Sequence, residues 1–354
     1  MNLLIPKIQE IANRISKVES KRKKLAEFLK NVKTDVKLSE KVGKFEPDGM
    51  KIAAVDGGIV KRSLHGFDFI LARGVGVCFS YKNGKVHDVR YHPDKMPTPE
   101  FFVLEALSDL DWAHATSIIR QKAEIRTAIE AIEKFRPDVL LLDGSIIPHY
   151  QDRPASSSKV HRSYEEMISL YKKLFETCSL RKVMLAGVVE DSRGTKFCEL
   201  TNERILSKVS HPSVPELRKI LEKTRDTNLL YWILNEGERT EVFPYSEKAK
   251  EHPVMRDFKN FAGRIFSFYL KTAKFDRPIR IDFLGEESLA GKFASVIFSI
   301  SSHHSGYGIP SVLVEADQVA KLAEDDIENI YEQILTQTGS LPSIFKLRRD
   351  SRPF

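Results

Sequence analysis

Two aspartates in this sequence follow apolar runs and precede glycine. Asp56 comes after Ile52–Val55, and Asp143 comes after Val139–Leu142. Such runs predict short strands that are buried on both faces. Each aspartate is therefore expected at the end of a strand, where glycine backbone lets a ligand or a metal ion come close. For either aspartate alone, an ordinary turn residue is the alternative, but the repetition at two strands favours a functional role.

A third carboxylate is predicted to lie over the same sheet. Glu124 belongs to a region from about 100 to 135 that we expect to be helical, with an interruption near Asp109–Asp111. Glu124 is about 100° from Ile125 around the helix axis, close enough to lean over the sheet. The alternative is that it only pairs with Arg120, four residues earlier. The apolar positions of this helix form one buried stripe at Ile118, Ile125, Ala128, Ile129 and Ile132.

The order of the predicted elements is that of an α/β domain with a ribonuclease H-like mixed sheet flanked by helices. Three strands at the start, with Asn83-Gly84 as the turn between the last two, predict an antiparallel meander. The Asp143 strand must return parallel to the first strand because a helical crossover precedes it. The other segments are predicted as strands at Phe67–Tyr81, Lys85–His92, Lys182–Val189, Arg264–Ala273 and Arg277–Phe283, and as helices at Tyr164–Cys178, Val214–Thr224, Asp226–Asn235, Glu286–Ser299 and Ser311–Leu335.

Strand ends of such a domain bring carboxylates together for phosphodiester chemistry. Two divalent ions about 4 Å apart can activate a water molecule and stabilise the leaving oxygen. Carboxylate oxygens are suitable ligands for Mn²⁺ or Mg²⁺. Asp56 and Asp143 are the candidate metal ligands from strands, and Glu124 is the candidate from the crossover helix.

The N-terminal segment is basic and periodic. Residues 1–45 carry twelve Lys and Arg against five Asp and Glu, an excess equal to the net charge of +7 for the whole chain. Apolar residues from Leu4 to Val32 alternate in steps of three and four, which predicts a helix of about eight turns with a heptad seam. We expect this arm to lie at or near a homodimer interface. A polyanion such as DNA is the expected partner of its charge, and a solvated charged helix is the alternative.

Composition bounds the class of protein. The 354 residues are 42% hydrophobic, enough for one large domain or two. No apolar run approaches the roughly 20 residues of a membrane helix, and the start lacks the features of a signal peptide, so no membrane is expected as a partner. The three cysteines are too far apart for a zinc site and suggest reduced thiols in the cytoplasm. We divide the chain into a basic helical arm (1–46), a main domain (47–335, with an insertion at about 195–260) and a basic, loose tail (336–354).

Taken together, the motifs resemble those of the NurA family, nucleases that process DNA ends. No single segment is specific, but the set spans residues 50 to about 325 in the family's order. The matching segments are AVDGG at Ala54–Gly58, Arg120 with Glu124, LLLDGSI at Leu140–Ile146, AGVVEDSRG at Ala186–Gly194, Asp226–Thr240 and Ile309–Asp317.

The resemblance implies a Mn²⁺-dependent deoxyribonuclease that acts on single- and double-stranded DNA, as a 5′–3′ exonuclease and a single-strand endonuclease. It further implies a ring-like homodimer that works with a HerA-type hexameric helicase to resect DNA ends in double-strand break repair. Asp56, Glu124 and Asp143 fall on the family's metal-binding positions, and Asp317 falls where members carry Asp or His. The alternative for Asp317 is an acidic residue favoured by its helix dipole.

Two positions depart from the family pattern. Glu190 stands where members often carry lysine, so either it is an additional metal ligand or Lys196 takes the lysine's role. Ile309 stands at a common tyrosine position, although Tyr307 lies two residues earlier. We also consider His303 and His304 as phosphate contacts or proton donors, with an ordinary polar loop as the alternative. Arg239 is a candidate phosphate clamp, with pairing to Glu236 as its alternative.

We therefore interpret the chain as a metal-dependent DNA nuclease. Asp56 and Asp143 would hold the ions, assisted by Glu124, Asp317 and Glu190. Arg120, Lys196, Arg239, His303, His304 and Tyr307 are the candidate DNA contacts. One alternative is a nucleic-acid-binding scaffold of the same fold without activity. Another is a phosphotransferase related to sugar kinases, although the chain lacks the glycine-rich phosphate loop and adenosine motif of that class.

Overall fold

The computed structural model describes residues 4–43, 45–339 and 341–350, with the side chain of Arg349 left aside. Short 3-10 and π segments join the longer elements. The described strands are β1 (Glu40–Lys41), β2 (Lys51–Ser63), β3 (Phe67–Lys82), β4 (Lys85–His92), β5 (Glu100–Glu105), β6 (Val139–Asp143), β7 (Met184–Val189), β8 (Glu238–Arg239), β9 (Phe243–Pro244), β10 (Ile265–Lys271) and β11 (Ile279–Leu284). The described α-helices are α1 (Leu4–Asn31), α2 (Asp109–Phe135), α3 (His161–Arg181), α4 (Lys196–Thr201), α5 (Val214–Leu221), α6 (Asp226–Ile233), α7 (Ala290–Ser299), α8 (Ser311–Ala320) and α9 (Glu324–Thr338).

These strands form one mixed sheet in the order β1-β8-β10-β11-β7-β6-β2-β3-β4, with β5 paired to β3 and β9 to β10. The predicted meander is confirmed, since β2, β3 and β4 pair antiparallel. Asn83 and Gly84 form its turn with φ of 52° and 68°, as a hairpin turn of this type requires. The parallel return is confirmed as well, because β6 pairs parallel with both β2 and β7.

Helices cover both faces of the sheet. Alternate residues of a strand point to opposite faces, and β2 shows this clearly. Ala53 and Val55 pack in the cluster formed with α2 and α3, whereas Ile52 and Ala54 pack with α7 and α8. Both faces of β2 are therefore buried, as its unbroken apolar run predicts. The buried stripe predicted for α2 is also confirmed, from Ile118 to Ile132.

The predicted N-terminal helix is confirmed, but only its C-terminal half is buried. Leu25, Ala26 and Leu29 pack in a cluster with residues of α4, α5 and α6. From Leu4 to Val18 the apolar seam residues are 41–61% exposed. Among the described helices, none is both long and apolar enough to span a bilayer.

Three sequence predictions about the sheet and its helices are wrong. The strand with Asp56 does not end there but continues through Gly58 to Ser63, because β3 pairs with β2 along its whole length. Residues Glu100–Glu105 form a strand on β3 rather than the first turns of α2. The last predicted helix is two helices, α8 and α9, separated at 321–323.

The described part of the C-terminal tail is packed, not loose. Ile344 is buried in a cluster with Leu64 and Phe69, and Lys346 forms an ion pair with Glu328. Residues 351–354 of the predicted tail lie outside the described residues.

Candidate active site

Asp56 and Asp143 lie side by side where the parallel pairing of β2 and β6 ends. The last partners in that register are Val55 and Leu142, so the two aspartates are the next residues on adjacent strands. Neighbouring strands lie about 4.8 Å apart, and the charge of Asp56 raises the pKa of Asp143. The backbone register therefore brings the two carboxylates close together.

Two glycines after Asp56 allow helices to approach β2 from both faces. A side chain at position 57 would press on α2, with its Cβ 3.3 Å from the Cβ of Glu124. A side chain at position 58 would overlap the carbonyl oxygen of Ala320, at the end of α8. The glycines therefore allow helices to pack closely against the middle of β2. They do not mark a flexible end of the strand. That packing brings Glu124 of α2 and Asp317 of α8 to the two aspartates.

Within the cluster, Glu124 is the most deeply buried carboxylate, at 3% exposure. Burial raises the pKa of Glu124 to about 8, with Asp56 and Asp143 adding to the rise and Arg120 opposing it. The guanidinium Nη1 of Arg120 donates a hydrogen bond to Glu124 Oε2 over 3.1 Å. Glu124 therefore does pair with Arg120, as the alternative reading of the sequence expected. It also lies beside the two aspartates, so the two expectations are both met.

The two aspartates also bind protons more strongly than usual. Burial, and then the charges of Asp56 and Glu190, together raise the pKa of Asp143 to about 7. Burial likewise raises the pKa of Asp56, against a hydrogen bond of 2.7 Å that the Gly57 N–H donates to it. Like charges in a poorly solvated space produce such shifts. A bound cation would offset both the cost of burying these charges and the repulsion between them.

Glu190, Asp317 and Tyr307 lie at the rim of the cluster. Glu190 follows β7 and is half-buried; its pKa is raised by burial and then by Asp191 and Asp317. Tyr307 is 50% exposed, and its pKa is raised by burial and then by Glu190 and Asp317. Glu190, which departs from the family pattern, and Tyr307, two residues before the departing Ile309, are therefore close enough to interact electrostatically with the acidic residues of the cluster.

The cluster offers hard oxygen donors, which suit Mn²⁺ or Mg²⁺. Within the described residues, however, no three Asp, Glu, His or Cys side chains are already arranged as a metal site. Glu124 is turned toward Arg120 instead. The carboxylate oxygens and the uncompensated negative charge of the cluster suit a divalent ion. To bind such an ion, these side chains must rotate toward it.

The remaining predicted DNA contacts lie in three places. Lys196 begins α4, half-buried, with its Nζ 3.7 Å from Glu247. His303 and His304 are exposed in the turns after α7. Arg239 is on β8, with three strands between it and β6, and its guanidinium pairs with Glu40 over 2.8 Å. Its alternative partner, Glu236, is therefore wrong, and its role in binding DNA stays a prediction.

Several residues near the cluster were missed by sequence reasoning. Tyr171 of α3 donates a hydrogen bond to Gln121, next to Glu124. Arg280 of β11 forms a two-point ion pair with Asp282, with both donor–acceptor distances 2.9 Å. The Arg-x-Asp spacing on an otherwise apolar strand was the available signal for this pair. Arg73 of β3 donates to the carbonyl oxygen of Ala320 and so fixes the helix that carries Asp317; nothing local to Arg73 indicates this.

Comparisons with known proteins bear on the family and the fold of the chain. A sequence model of the NurA domain matches residues 50–322. The crystal structure of the NurA nuclease from Sulfolobus solfataricus superposes with a TM-score of 0.60 at 16% identity, over 100% of this chain and 99% of that chain. At this identity the likeness concerns the mixed α/β fold alone.

More distant structures are also similar. A NurA crystal structure with manganese has a TM-score of 0.49 at 11% identity, over 92% of this chain and 98% of that one. Endonuclease V from Ciona intestinalis, in complex with an inosine-containing DNA, has a TM-score of 0.33 at 14% identity, over 91% and 99%. A search of curated proteins found no match.

Proposed function

Because the chain belongs to the NurA family, we propose that it is a metal-dependent DNA nuclease that hydrolyses phosphodiester bonds at the Asp56–Asp143 cluster. The observation that carries the proposal is the register of β2 and β6, which ends one residue before each aspartate. Two carboxylates on adjacent strands, with Glu124 buried beside them, form a donor set for divalent cations.

In this proposal Asp56 and Asp143 hold the cations, and Glu124, Asp317 and Glu190 complete the set. The cations, Mn²⁺ or alternatively Mg²⁺, supply the charge that activates water and stabilises the leaving oxygen. Arg120 holds Glu124 in the metal-free protein and is placed to contact a phosphate when Glu124 turns away. Burial of Asp56 and Glu124 keeps bulk water from their carboxylates and strengthens their charge interactions.

The finer parts of the proposal follow the family. We propose a ribonuclease H-like fold, exonuclease activity with 5′–3′ polarity, endonuclease activity on single strands, and DNA-end resection in double-strand break repair with a HerA-type hexameric helicase. The exposed apolar seam of α1 supports a homodimer. The three buried, unpaired cysteines fit a reducing cytoplasm.

Replacing Asp56 tests the proposal. We expect Asp56→Ala and Asp56→Asn to lower cleavage of end-labelled DNA with Mn²⁺ by about a thousandfold, because several kcal/mol of transition-state stabilisation is lost. DNA binding should persist. Asp68→Asn is the matched control, because Asp68 is also a buried aspartate of the sheet, 4% exposed, and lies outside the cluster. Cleavage by Asp56→Ala at the wild-type rate would contradict the assignment.

A titration separates this nuclease from an inactive DNA-binding scaffold of the same fold. Calorimetry with Mn²⁺ should show binding to the wild-type protein that Asp56→Asn and Asp143→Asn weaken. A scaffold that has lost its ions should show no such binding and no cleavage.

A further inference from the structure

A groove leads away from the carboxylate cluster. A cavity of about 230 Å³ is lined by Glu124 and Asp143. It adjoins a larger cavity of about 770 Å³ that reaches Arg193 and Lys196. The two cavities share four lining residues: His149, Val189, Tyr245 and Arg280. We call the larger cavity, from His149 to Arg193, the strand groove.

The far end of the strand groove is positively charged. Arg193 is exposed, and within the described residues its guanidinium has no hydrogen bond or ion pair. Lys196 has only the 3.7 Å contact with Glu247, and Arg225 donates to the carbonyl oxygen of Arg193. These three cations are therefore available to an anion.

The acidic residues that line the groove already have partners within the protein. Asp191 pairs with Arg277 over 2.8 Å. Asp226 is fully buried and accepts the backbone N–H groups of Phe197 and Cys198. Arg280 is likewise occupied by Asp282, so it shapes the wall of the groove and does not add free charge. The net field at the far end favours phosphate.

Aromatic rings also line the strand groove, and two of them, His149 and Tyr245, line the cavity at the carboxylates as well. The rings of His149 and Tyr150 are 4.3 Å apart and tilted by 40°, and Tyr150 is 54% exposed. Tyr245 contacts His252 with ring centroids 5.9 Å apart. Cations that follow a backbone together with exposed rings on which bases stack are the two components of single-strand binding sites.

We propose that the strand groove binds single-stranded nucleic acid. Its phosphates contact Arg193 and Lys196, one unpaired base stacks on Tyr150, and the next phosphodiester lies at Asp143. A volume of about 770 Å³ is in the range of small-ligand pockets, which leaves room for individual nucleotides. The last step of this path rests on the proposed nuclease function, whereas binding in the groove does not.

Binding of a labelled oligo-dT tests the charged end. Fluorescence anisotropy in EDTA, where no cleavage occurs, should show at least about tenfold weaker binding by Arg193→Glu, with a shallower salt dependence because a phosphate contact is lost. Arg162→Glu is the matched control, because Arg162 is 91% exposed on α3 and does not line the groove. If Arg193→Glu unfolds, Arg193→Gln should still weaken binding.

Tyr150 tests the stacking step. Tyr150→Ala should weaken oligo-dT binding by about tenfold, as is usual for loss of one base–aromatic stack. Tyr150→Phe keeps the ring and should bind as the wild type does. A loss in both variants would overturn the stacking step, since only the hydroxyl is common to the two changes.

The outcomes also separate the groove from the nuclease proposal. Wild-type binding by Arg193→Glu and by Tyr150→Ala would overturn the groove, even if the wild-type protein cuts DNA. Loss of binding in both would support the groove, even if the protein does not cut DNA with any divalent ion. Equal loss for oligo-dT and for a blunt duplex would overturn the single-strand assignment.

Discussion

Glu124 and Asp143 bind protons more tightly in the folded protein than ordinary carboxyl groups do. Their pKa values are raised to about 8 and about 7, first by burial and then by neighbouring carboxylates. For a group whose folded-state pKa is raised, the stability it contributes is fully present below its unfolded pKa. That contribution is lost as pH rises through the folded pKa. For Glu124 this window runs from its ordinary value of 4.5 to about 8.

The first prediction is that the metal-free protein loses stability as pH rises from about 5 to about 8. Glu124→Gln mimics the protonated form and should remove about 2–4 kcal/mol of that pH dependence of the free energy of unfolding. Saturating Mn²⁺ should restore stability at the alkaline end, because the ion replaces the protons. Urea unfolding in EDTA and in Mn²⁺ at several pH values measures both effects.

Glu133→Gln is the control for this experiment. Glu133 is on the same helix but is exposed, where it pairs with Arg181. Its replacement should leave the pH dependence unchanged. The same pH dependence of the free energy of unfolding in the wild type and in Glu124→Gln would show that burial does not raise the pKa of Glu124.

At the scale of elements, the glycines of β2 hold the site together, because their lack of side chains lets α2 and α8 pack closely against the strand. Position 58 is in contact with α8, and only a hydrogen atom fits there. The second prediction is that Gly58→Ala lowers the free energy of unfolding by about 1–3 kcal/mol, as overpacking typically does. It should also weaken Mn²⁺ binding, since α8 must move and Asp317 moves with it.

Gly291→Ala is the matched control for Gly58→Ala. Gly291 is in α7, and a methyl group there meets nothing within 4 Å. Its replacement should leave metal binding unchanged and raise helix stability by about 1 kcal/mol, from propensity alone. Denaturant unfolding and calorimetry measure the two variants. Unchanged Mn²⁺ affinity in a destabilised Gly58→Ala would show that α8 does not position a ligand.

The sequence predicted those elements whose burial is encoded locally. The apolar runs before Asp56 and Asp143 and the stripe of α2 each depend on consecutive or periodic residues, and all three are confirmed. Strand β5 could not be read in this way, because Glu100–Glu105 becomes a strand only by pairing with the distant first half of β3. Likewise, the end of α8 has no glycine or proline. It is set by Arg73, which binds the carbonyl oxygens of Ala320 and Lys321.

The candidate site was predictable as residue types but not as geometry. Asp56 was assigned to a strand end because its apolar run stops there, whereas β2 continues since β3 still pairs with it. What ends at Asp56 is the pairing with β6. The strand groove was not predictable, because its cations and rings come from many separate segments between His149 and Arg280.

At the scale of the whole molecule, α1 is apolar on one face along its length but buried only toward its end. Leu25 and Leu29 are at most 1% exposed, whereas Ile8 and Ile15 are 61% and 59% exposed. A heptad seam that the rest of its own chain does not cover is typical of a helix that pairs with another copy. The basic residues beside the seam would then be presented twice to one polyanionic partner.

The last prediction is that Ile8→Glu/Ile15→Glu converts a dimer into a monomer. Charges in the seam are costly to desolvate, so light scattering should fall from twice the chain mass to the 40.4 kDa of one chain. Leu180→Glu is the control, because Leu180 is 77% exposed at the end of α3 and its replacement should leave the mass unchanged. Because Leu25 and Leu29 still anchor the helix, the fold should persist. A wild-type protein that is monomeric at micromolar concentration would refute the dimer and leave the seam to a different protein.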